Sequence, residues 1–240
     1  ETPNAIKALI QDAKDKTISI VVEREEEELT FDVEVRNVPS SVRYELKENS
    51  IGYINIDIFS ETLTNQVSNA LKDLEEKGMK KLIIDLRDNS GGYLDSAETT
   101  ASLFLEKGKL IYSLEDKNKK EDYYDETEEH RTYPIVILIN EKSASSAEIL
   151  AAALKDSYGA VLVGEKSYGK GKVQQTIKLE DGSMAKYTSA KWLRPTGECI
   201  DNKGLTPDYA ASLTYETNEN GEQTVIDSQL NKALEVIRAM

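Results

Sequence analysis

The sequence predicts an α/β fold in which a central sheet is flanked by helices. Segments typical of strands and helices alternate along residues 51–164, which is the pattern of layered α/β proteins. Two short stretches, Leu82–Leu86 and Pro134–Ile139, are continuously apolar, as expected for strands that are buried on both faces of a sheet. The helical segments between strands have apolar residues at helical spacing, so one face of each can cover the sheet.

The first forty residues predict a small separate module. Pro3–Ala13 has a helical pattern, and two candidate strands, Ile18–Arg24 and Leu29–Arg36, follow it on either side of a Glu-rich turn. A helix and two strands bury too little apolar surface to form a core alone. We therefore interpret this segment as the end of a module, followed by a connector at residues 38–41.

The central elements follow from apolar runs and from helix stop signals. In chain order they are predicted as strand Ile51–Ile58, helix Thr62–Lys77, strand Leu82–Leu86, helix Asp95–Leu105 and strand Lys109–Leu114. Gly78 stands just past the end of the first of these helices, where a left-handed residue is common. Residues 117–133 are charged, contain tyrosines and show no clear period, so no regular element is predicted there.

The second half predicts one more buried strand, a hairpin and a terminal helix. The predicted elements are strand Ala160–Gly164, a hairpin of Val173–Leu179 with Met184–Trp192, a loop at Pro195–Gly204, the segment Leu205–Ala211, a turn at Asn218–Gly221 and the amphipathic helix Asp227–Ala239. Asp181-Gly182 between the hairpin strands is a strong turn dipeptide.

The stretch from Asn140 to Leu154, NEKSASSAEILAAAL, joins the apolar strand Pro134–Ile139 to an alanine-rich helix that is predicted at Ala147–Leu154. A serine at such a junction has free backbone N–H groups beside it, and the helix dipole adds positive potential there. Both features can stabilise an oxyanion that forms during acyl transfer. The alternative is that these serines only cap the helix, since serine is a preferred N-cap residue.

Composition excludes several classes of function. The chain of 240 residues has a net charge of −14, which argues against nucleic acid, because phosphate binding needs clustered Lys and Arg. No apolar run approaches the ~20 residues that span a bilayer, and the N-terminus has no signal-peptide pattern.

The sequence contains one cysteine and one histidine. Cys199 cannot form an intramolecular disulfide, and a zinc site built from Cys199 and His130 is not expected. His130 lies in the polar segment ETEEHRTYP, which gives no support to a Ser-His-Asp triad. We therefore predict neither a metal nor a cofactor, and we expect any base to be a residue other than histidine.

Lys170 is the candidate base. Desolvation lowers the pKa of a lysine, and serine–lysine pairs are a known variant of the catalytic triad. Gly169 and Gly171 flank Lys170 on a loop between two predicted strands, and these small neighbours permit a close approach to the serine helix. The alternative is that Lys170 is an ordinary exposed lysine.

Three segments together resemble the carboxyl-terminal processing peptidases, also called tail-specific proteases. They are NEKSASSAEILAAAL, the downstream GEKSYGKGKVQ and the upstream DLRDNSGG, and they occur in the order found in that family. The resemblance covers residues from about Ser40 to Leu213. It implies a serine peptidase with a Ser-Lys dyad, a ClpP/crotonase-like ββα core and a PDZ domain ahead of that core.

The resemblance also implies roles for individual residues. It places the nucleophile at Ser145, the general base at Lys170 and a supporting glutamine at Gln174. Gln174 would share a strand face with Lys170 and orient the amine. For the oxyanion hole we infer the backbone N–H groups of Gly91 and Ser146.

Domain organisation follows from the same resemblance. Residues 1–38 are expected to form the C-terminal part of an incomplete PDZ-like module, residues 39–215 the peptidase core, and residues 216–240 a turn and helix that pack on the core. Without the carboxylate-binding loop of a PDZ domain, recognition of protein tails is expected to be impaired. The implied substrates are proteins with apolar C-terminal tails, and the implied location is extracytoplasmic; a homo-oligomer is left open.

Three positions, two of them in one turn, depart from the family pattern. Ser90 stands where the family usually has proline, and Asp88 adds a carboxylate to the same turn, which is expected to alter loop mobility. Ser146 stands where alanine is common, and its hydroxyl is expected to compete with Ser145 for Lys170.

Two other functions remain open at this point. One is a catalytically silent peptide-binding scaffold, because folds persist after chemistry is lost. The other is an acyl-thioester enzyme of the crotonase type, which uses a similar oxyanion hole but has no role for a Ser-Lys pair.

Overall fold

A computed structural model describes residues 3–13, 16–35, 40–217 and 223–240 of the chain. The chain divides into two units, Glu1–Ser40 and Ser41–Met240. In the first unit, helix α1 (Pro3–Asp12) precedes an antiparallel hairpin of β1 (Thr17–Arg24) and β2 (Glu27–Glu34). The predicted helix and hairpin are therefore confirmed, although Arg36 lies outside the described residues.

The second unit is built on a six-stranded central sheet, as the α/β prediction requires. Its strands are β3 (Val42–Lys47), β4 (Ile51–Ile56), β5 (Lys81–Asp85), β8 (Ile135–Ile139), β9 (Val161–Gly164) and β12 (Tyr209–Ala210). The spatial order is β12-β9-β8-β5-β4-β3, and every neighbouring pair is parallel except β3 with β4.

Helices cover both faces of this sheet. They are α2 (Leu63–Glu76), α3 (Leu94–Ala101), α4 (Ser146–Ala153), which continues into a π-helical turn at Leu154–Tyr158, and α5 (Ser228–Ala239). Ile135, Ile137 and Ile139 of β8 face a core shared with α2, α3 and α4, whereas Val136 and Leu138 face a smaller core shared with α5. Because alternate side chains of a strand point to opposite faces, the continuous apolar run of β8 is what a strand covered on both sides needs.

A second, antiparallel sheet contains β6 (Leu110–Glu115), β7 (Lys120–Tyr124), β10 (Lys172–Lys178) and β11 (Met184–Leu193). Its spatial order is β10-β11-β6-β7. The predicted hairpin of β10 and β11 is confirmed. A short ribbon of β13 (Thr214–Thr217) and β14 (Gln223–Ile226) precedes α5, and the turn predicted at Asn218–Gly221 lies outside the described residues.

Several boundaries differ from the prediction. Five of the described strands were not predicted: β3, which directly follows the connector, β7, which lies within the charged segment 117–133, and the short strands β12, β13 and β14. Strands β3 and β7 are sheet edges with mostly exposed side chains, so they lack the apolar signal of a buried strand. Helix α3 ends at Ala101 rather than Leu105. None of the helices in the described ranges is both long and apolar enough to cross a membrane.

Arg87, just after β5, fastens the C-terminal helix to the central sheet. Its guanidinium donates to both carboxylate oxygens of Asp227, at 2.7 and 2.9 Å, and to both oxygens of Asp85. Asp227 is also the N-cap of α5, because it accepts the Leu230 N–H at 2.9 Å. Burial alone would raise the pKa of Asp227, but the hydrogen bonds from Arg87 and from the Leu230 N–H outweigh it, so the pKa lies below its ordinary value.

We expect Asp227→Asn to destabilise the fold by about 1–2 kcal/mol at pH 7, since asparagine keeps the cap but loses the charge and one oxygen of the Arg87 pair. A folded-state pKa below the unfolded one gives stability that is present above the unfolded pKa of about 3.9 and is lost as the pH falls through the folded pKa. The difference in melting temperature between wild type and variant should therefore close in acid. Asp73→Asn, which breaks the exposed pair with Lys77, should cost less than about 0.5 kcal/mol. Equal effects of the two substitutions would contradict the special role of Asp227.

Candidate active site

The candidate site lies where β5 and β8 end. These strands are adjacent and parallel, so the segments that follow them, 86–92 and 140–145, start at the same edge of the sheet. The carboxyl ends of parallel strands are the usual place for a site in open α/β folds. The DNSGG segment and the serine segment, which are about fifty residues apart in the chain, are brought together here.

The segment after β8 is a tight turn held by Asn140 and Ser143. The Ser143 N–H donates to the Asn140 carbonyl at 2.9 Å, and the Ser143 hydroxyl donates to the Leu86 carbonyl at 2.8 Å. The Ala144 N–H reaches across to the Asn89 carbonyl at 2.9 Å. Ser143 is fully buried, and its hydroxyl therefore ties the two segments together rather than facing solvent.

Ser145 adopts a backbone conformation that is unusual for an L-residue. Its φ is 57° and its ψ is −121°, immediately before the first residue of α4. Such strained conformations cost on the order of 1–3 kcal/mol and persist only where surrounding contacts fix them. Of the three serines in this segment, Ser143 and Ser146 are buried while Ser145 is partly exposed. The strained turn thus presents the hydroxyl-bearing residue that the sequence singled out.

Glu148, on the first turn of α4, is the contact that holds this conformation. It is completely buried, and its carboxylate accepts the Ser145 N–H at 3.0 Å and the Lys170 N–H at 2.9 Å on one oxygen. The other oxygen accepts the Gly169 N–H at 2.7 Å and the Ser167 hydroxyl at 2.5 Å. One carboxylate therefore joins the serine turn to the loop that carries the candidate base. Glu148 was not among the predicted site residues, although Ser-x-x-Glu before an apolar run is a capping-box signal.

Gly91 packs directly against the serine turn. A β-carbon at Gly91 would lie 2.8 Å from the Ser145 Cβ and 3.0 Å from the Ser146 nitrogen, and the φ of Gly91 is 97°. Only glycine fits such a close approach at positive φ. In this structure the Gly91 N–H donates to Asn89 Oδ1 at 2.8 Å, so an oxyanion would have to share or displace that bond.

Lys170 lines an open cleft of about 740 Å³ next to the serine turn. The cleft is also lined by Ser90, Ala144, Tyr168, Asp88, Glu141 and Lys142. The backbone of Lys170 is fixed on both sides, by Glu148 and by the Trp192 indole, which donates to the Lys170 carbonyl at 2.8 Å. In the part of the chain that the structure describes, the Lys170 amine takes part in no hydrogen bond, whether with Ser145 or with another group.

Gln174 is not among the residues that line the cleft. Strand β10 begins at Lys172, and its pairing with β11 shifts register between Val173 and Gln174. A bulge of this kind interrupts the alternation of side chains, so the expectation that Gln174 shares a face with Lys170 does not follow from simple strand geometry. The Gln174 side chain is exposed.

The Ser146 hydroxyl is engaged elsewhere than at Lys170. It is 1% exposed and donates to the Gly92 carbonyl at 3.0 Å. The expectation that it competes for Lys170 is therefore wrong for this conformation, because the hydroxyl hydrogen points at the opposite loop.

Charged residues form one rim of the cleft. Asp88, at a φ of 59°, donates its N–H to Asn140 Oδ1 at 2.9 Å, and its carboxylate accepts from the Asn140 amide at 3.2 Å. The Asn140 hydrogen bond, followed by the nearby Lys142, holds the pKa of Asp88 below its ordinary value. Asp88 is therefore anionic across the neutral pH range and places a negative charge on the rim of the cleft beside the serine turn.

Other candidate groups do not form a site. A cleft of about 830 Å³ beside Arg87 and Asp227 is lined mostly by charged and amide side chains, with no serine, cysteine, histidine or lysine among them. Cys199 is a free, half-buried thiol, and His130 is exposed. Within the described ranges there is no group of three or more His, Cys, Asp or Glu side chains arranged to hold a metal ion.

Comparison with known proteins places these features in a family context. Residues 50–211 match the model of peptidase family S41. The chain is 42% identical over 208 residues to the carboxy-terminal processing protease CtpA of Bacillus subtilis, a match that covers 81% of this chain and 45% of that protein. It is 36% identical over 211 residues to a probable CtpA-like serine protease of Staphylococcus aureus, covering 85% of this chain and 42% of that protein. The chain thus spans less than half the length of these relatives.

Solved structures show the same likeness. The photosystem II D1 C-terminal processing protease superimposes with a TM-score of 0.68 and 25% identity, covering 83% of this chain and 56% of that one. A putative S41 protease from Bacteroides fragilis has a TM-score of 0.67 at 17% identity, over 93% of this chain and 66% of that one, which shows likeness of fold.

Proposed function

The chain belongs to peptidase family S41, and from that premise we propose that it is a serine endopeptidase that cleaves proteins near their C-termini. The observation that carries the proposal is the buried Glu148, whose carboxylate holds both the strained Ser145 turn and the backbone of Lys170. A single carboxylate that fixes the backbone of both the serine turn and the lysine loop suits a Ser-Lys dyad.

In the proposed mechanism, the Ser145 oxygen attacks the scissile carbonyl while the Lys170 amine takes the hydroxyl proton. The negative charge that develops on the carbonyl oxygen is stabilised by the backbone N–H groups of Gly91 and Ser146. Lys170 then gives its proton to the leaving amine, which departs as the C–N bond breaks and an acyl-enzyme remains. Water hydrolyses the ester in the same way, with Lys170 again acting first as base and then as acid.

The open cleft has a consequence for Lys170. An amine accepts a proton only when it is neutral, and exclusion of water favours the neutral form. Lys170 is exposed in this structure, so we propose that the bound substrate itself supplies the desolvation by covering the cleft. We propose Gln174 as a hydrogen-bond partner of the amine, and its exposed side chain would have to turn toward Lys170 when substrate binds.

The resemblance to the family supports further proposals about the core, the first unit, the substrates and the location. We propose a ClpP/crotonase-like core for the second unit, a PDZ-like origin for the first, and proteins with apolar C-terminal tails as substrates. We also propose an extracytoplasmic location. Both a monomer and a homo-oligomer are compatible with the proposal.

A cleavage assay in ¹⁸O-water tests the proposed function. The purified chain is incubated with an unstructured protein that ends in apolar residues, and new C-termini are identified by mass spectrometry. We expect cuts near the C-terminus, each placing ¹⁸O in the new carboxylate, and only slightly slower cleavage of a matched substrate that ends in two aspartates, because recognition of protein tails is expected to be impaired. Binding without cleavage would favour a silent scaffold, and hydrolysis of acyl-thioesters alone would favour a crotonase-type enzyme; either result would overturn the proposal.

A further inference from the structure

Ser146 connects the two loops that face each other across the candidate site. It is the first residue of α4, directly after Ser145, and its buried hydroxyl donates to the carbonyl of Gly92, 54 residues earlier in the chain. A serine in the first turn of a helix commonly bonds to solvent or to its own local backbone. Here the hydroxyl instead links α4 to the loop that follows β5.

The loop needs such a link because of its two glycines. Gly91 and Gly92 have φ values of 97° and 149°, and without side chains they do not restrict their own peptide planes. The Phe59 N–H fixes the Gly91 carbonyl at 3.0 Å, and the Phe59 carbonyl accepts the Tyr93 N–H at 2.8 Å. The Gly92 carbonyl, which lies between these anchors, is held by the Ser146 hydroxyl.

We propose that the Ser146 hydroxyl is a positioning group for the oxyanion hole. By holding the Gly92 carbonyl it fixes the orientation of the Gly91–Gly92 turn relative to Ser145. The same residue thus supplies a backbone N–H to the oxyanion and sets the loop that supplies the other donor. This inference rests on the proposed peptidase function, and it concerns a hydroxyl to which the proposed chemistry gives no direct role.

Ser90, just before the glycines, offers a way to test the link independently. Its φ is not positive, and no hydrogen bond of its N–H occurs in the described part of the chain. Proline at this position would therefore remove no hydrogen bond and would restrict the turn by fixing φ. If Ser146 acts by holding the turn, stiffening the turn at Ser90 should replace part of its effect.

The experiment compares Ser146→Ala, Ser90→Pro and the double variant in peptide hydrolysis. We expect Ser146→Ala to lower kcat about tenfold with KM unchanged, because an oxyanion contact acts only in the transition state. In the double variant, the decrease in log kcat should be at most half of the decrease in Ser146→Ala. Ser157→Ala is the matched control, because the Ser157 hydroxyl also donates to a backbone carbonyl, but to that of Leu110 in β6 rather than to the Gly91–Gly92 turn. It should leave kcat unchanged.

Hydrogen exchange of the backbone amides in residues 88–93 gives a readout that needs no catalysis. Ser146→Ala should speed exchange in this segment, whereas Ser157→Ala should not. A Ser146→Ala variant with wild-type kcat, or with unchanged exchange in the segment, would overturn the inference. If the wild-type chain hydrolyses nothing, the proposed function fails, and faster exchange in Ser146→Ala still supports the link.

Discussion

Replacing Lys170 with alanine or with arginine is expected to lower kcat for peptide hydrolysis by about 10³-fold, within the range that loss of a general base produces. Arginine is the more informative variant. It keeps a positive charge at the same position, but a guanidinium is not deprotonated in proteins and cannot take the Ser145 proton. A role for Lys170 in binding charge alone would leave the arginine variant active.

Labelling with a fluorophosphonate probe measures the same step without a peptide. Wild type should be labelled once, at Ser145, and both Ser145→Ala and Lys170→Ala should lose labelling. Lys166→Ala is the matched control, since Lys166 is an exposed lysine on the same loop and is not among the residues that line the cleft. Labelling that survives in Lys170→Ala would leave Ser145 without its proposed base.

The sequence predicted the elements whose signal is local. Strand β8 is apolar at every position, and α4 follows it with high helix propensity, so both were identified with nearly correct bounds. Strands β3 and β7 were missed because edge strands with charged, exposed side chains acquire their structure from pairing with a neighbour. Strand propensity depends on such context more than helix propensity does.

The candidate site shows the same division. Ser145, Gly91 and Ser146 lie together because β5 and β8 are adjacent, which follows from an α/β pattern once the strand order is known. Two hydrogen bonds of the site depend on loop geometry that no sequence periodicity encodes. They join the Gly91 N–H to Asn89 Oδ1 and the Ser146 hydroxyl to the Gly92 carbonyl. The bulge before Gln174 is likewise invisible in the sequence, since Val173 and Ile177 are the only apolar residues of β10 and form no alternation that a bulge would break.

We expect Glu148→Gln to reduce kcat about 10²-fold and to lower the melting temperature. Four donors point at the Glu148 carboxylate, and a glutamine side chain can accept from only about half of them. Its NH₂ group would then face N–H donors, and each unsatisfied buried donor costs about 1–3 kcal/mol. The turn of Ser145 and the loop of Lys170 would relax apart, and a displacement of about 1 Å is enough for a hundredfold loss in rate.

Kinetics must be measured well below the melting temperature of the variant, so that loss of folded protein does not enter kcat. Glu98→Gln is the matched control: the Glu98 carboxylate accepts one side-chain hydrogen bond, from the Tyr112 hydroxyl at 2.8 Å, and, among the residues that the structure describes, none from the Ser145 turn or the Lys170 loop. The control should lose some stability and keep its kcat. Wild-type kcat in a folded Glu148→Gln variant would show that the carboxylate is structural only.

A substitution at Ser167 tests whether Glu148 couples the Ser145 turn to the Lys170 loop, separately from the contribution of Glu148 to folding stability. The Ser167 hydroxyl donates to Glu148 and also accepts the Leu205 N–H at 2.7 Å. In Ser167→Ala the carboxylate loses one donor, so a glutamine at position 148 then has one fewer donor to satisfy. Because both substitutions act on the same carboxylate, their effects on kcat should be less than additive in the double variant. Additive effects would mean that the Ser145 turn and the Lys170 loop are held independently, and that Glu148 does not transmit the position of one to the other.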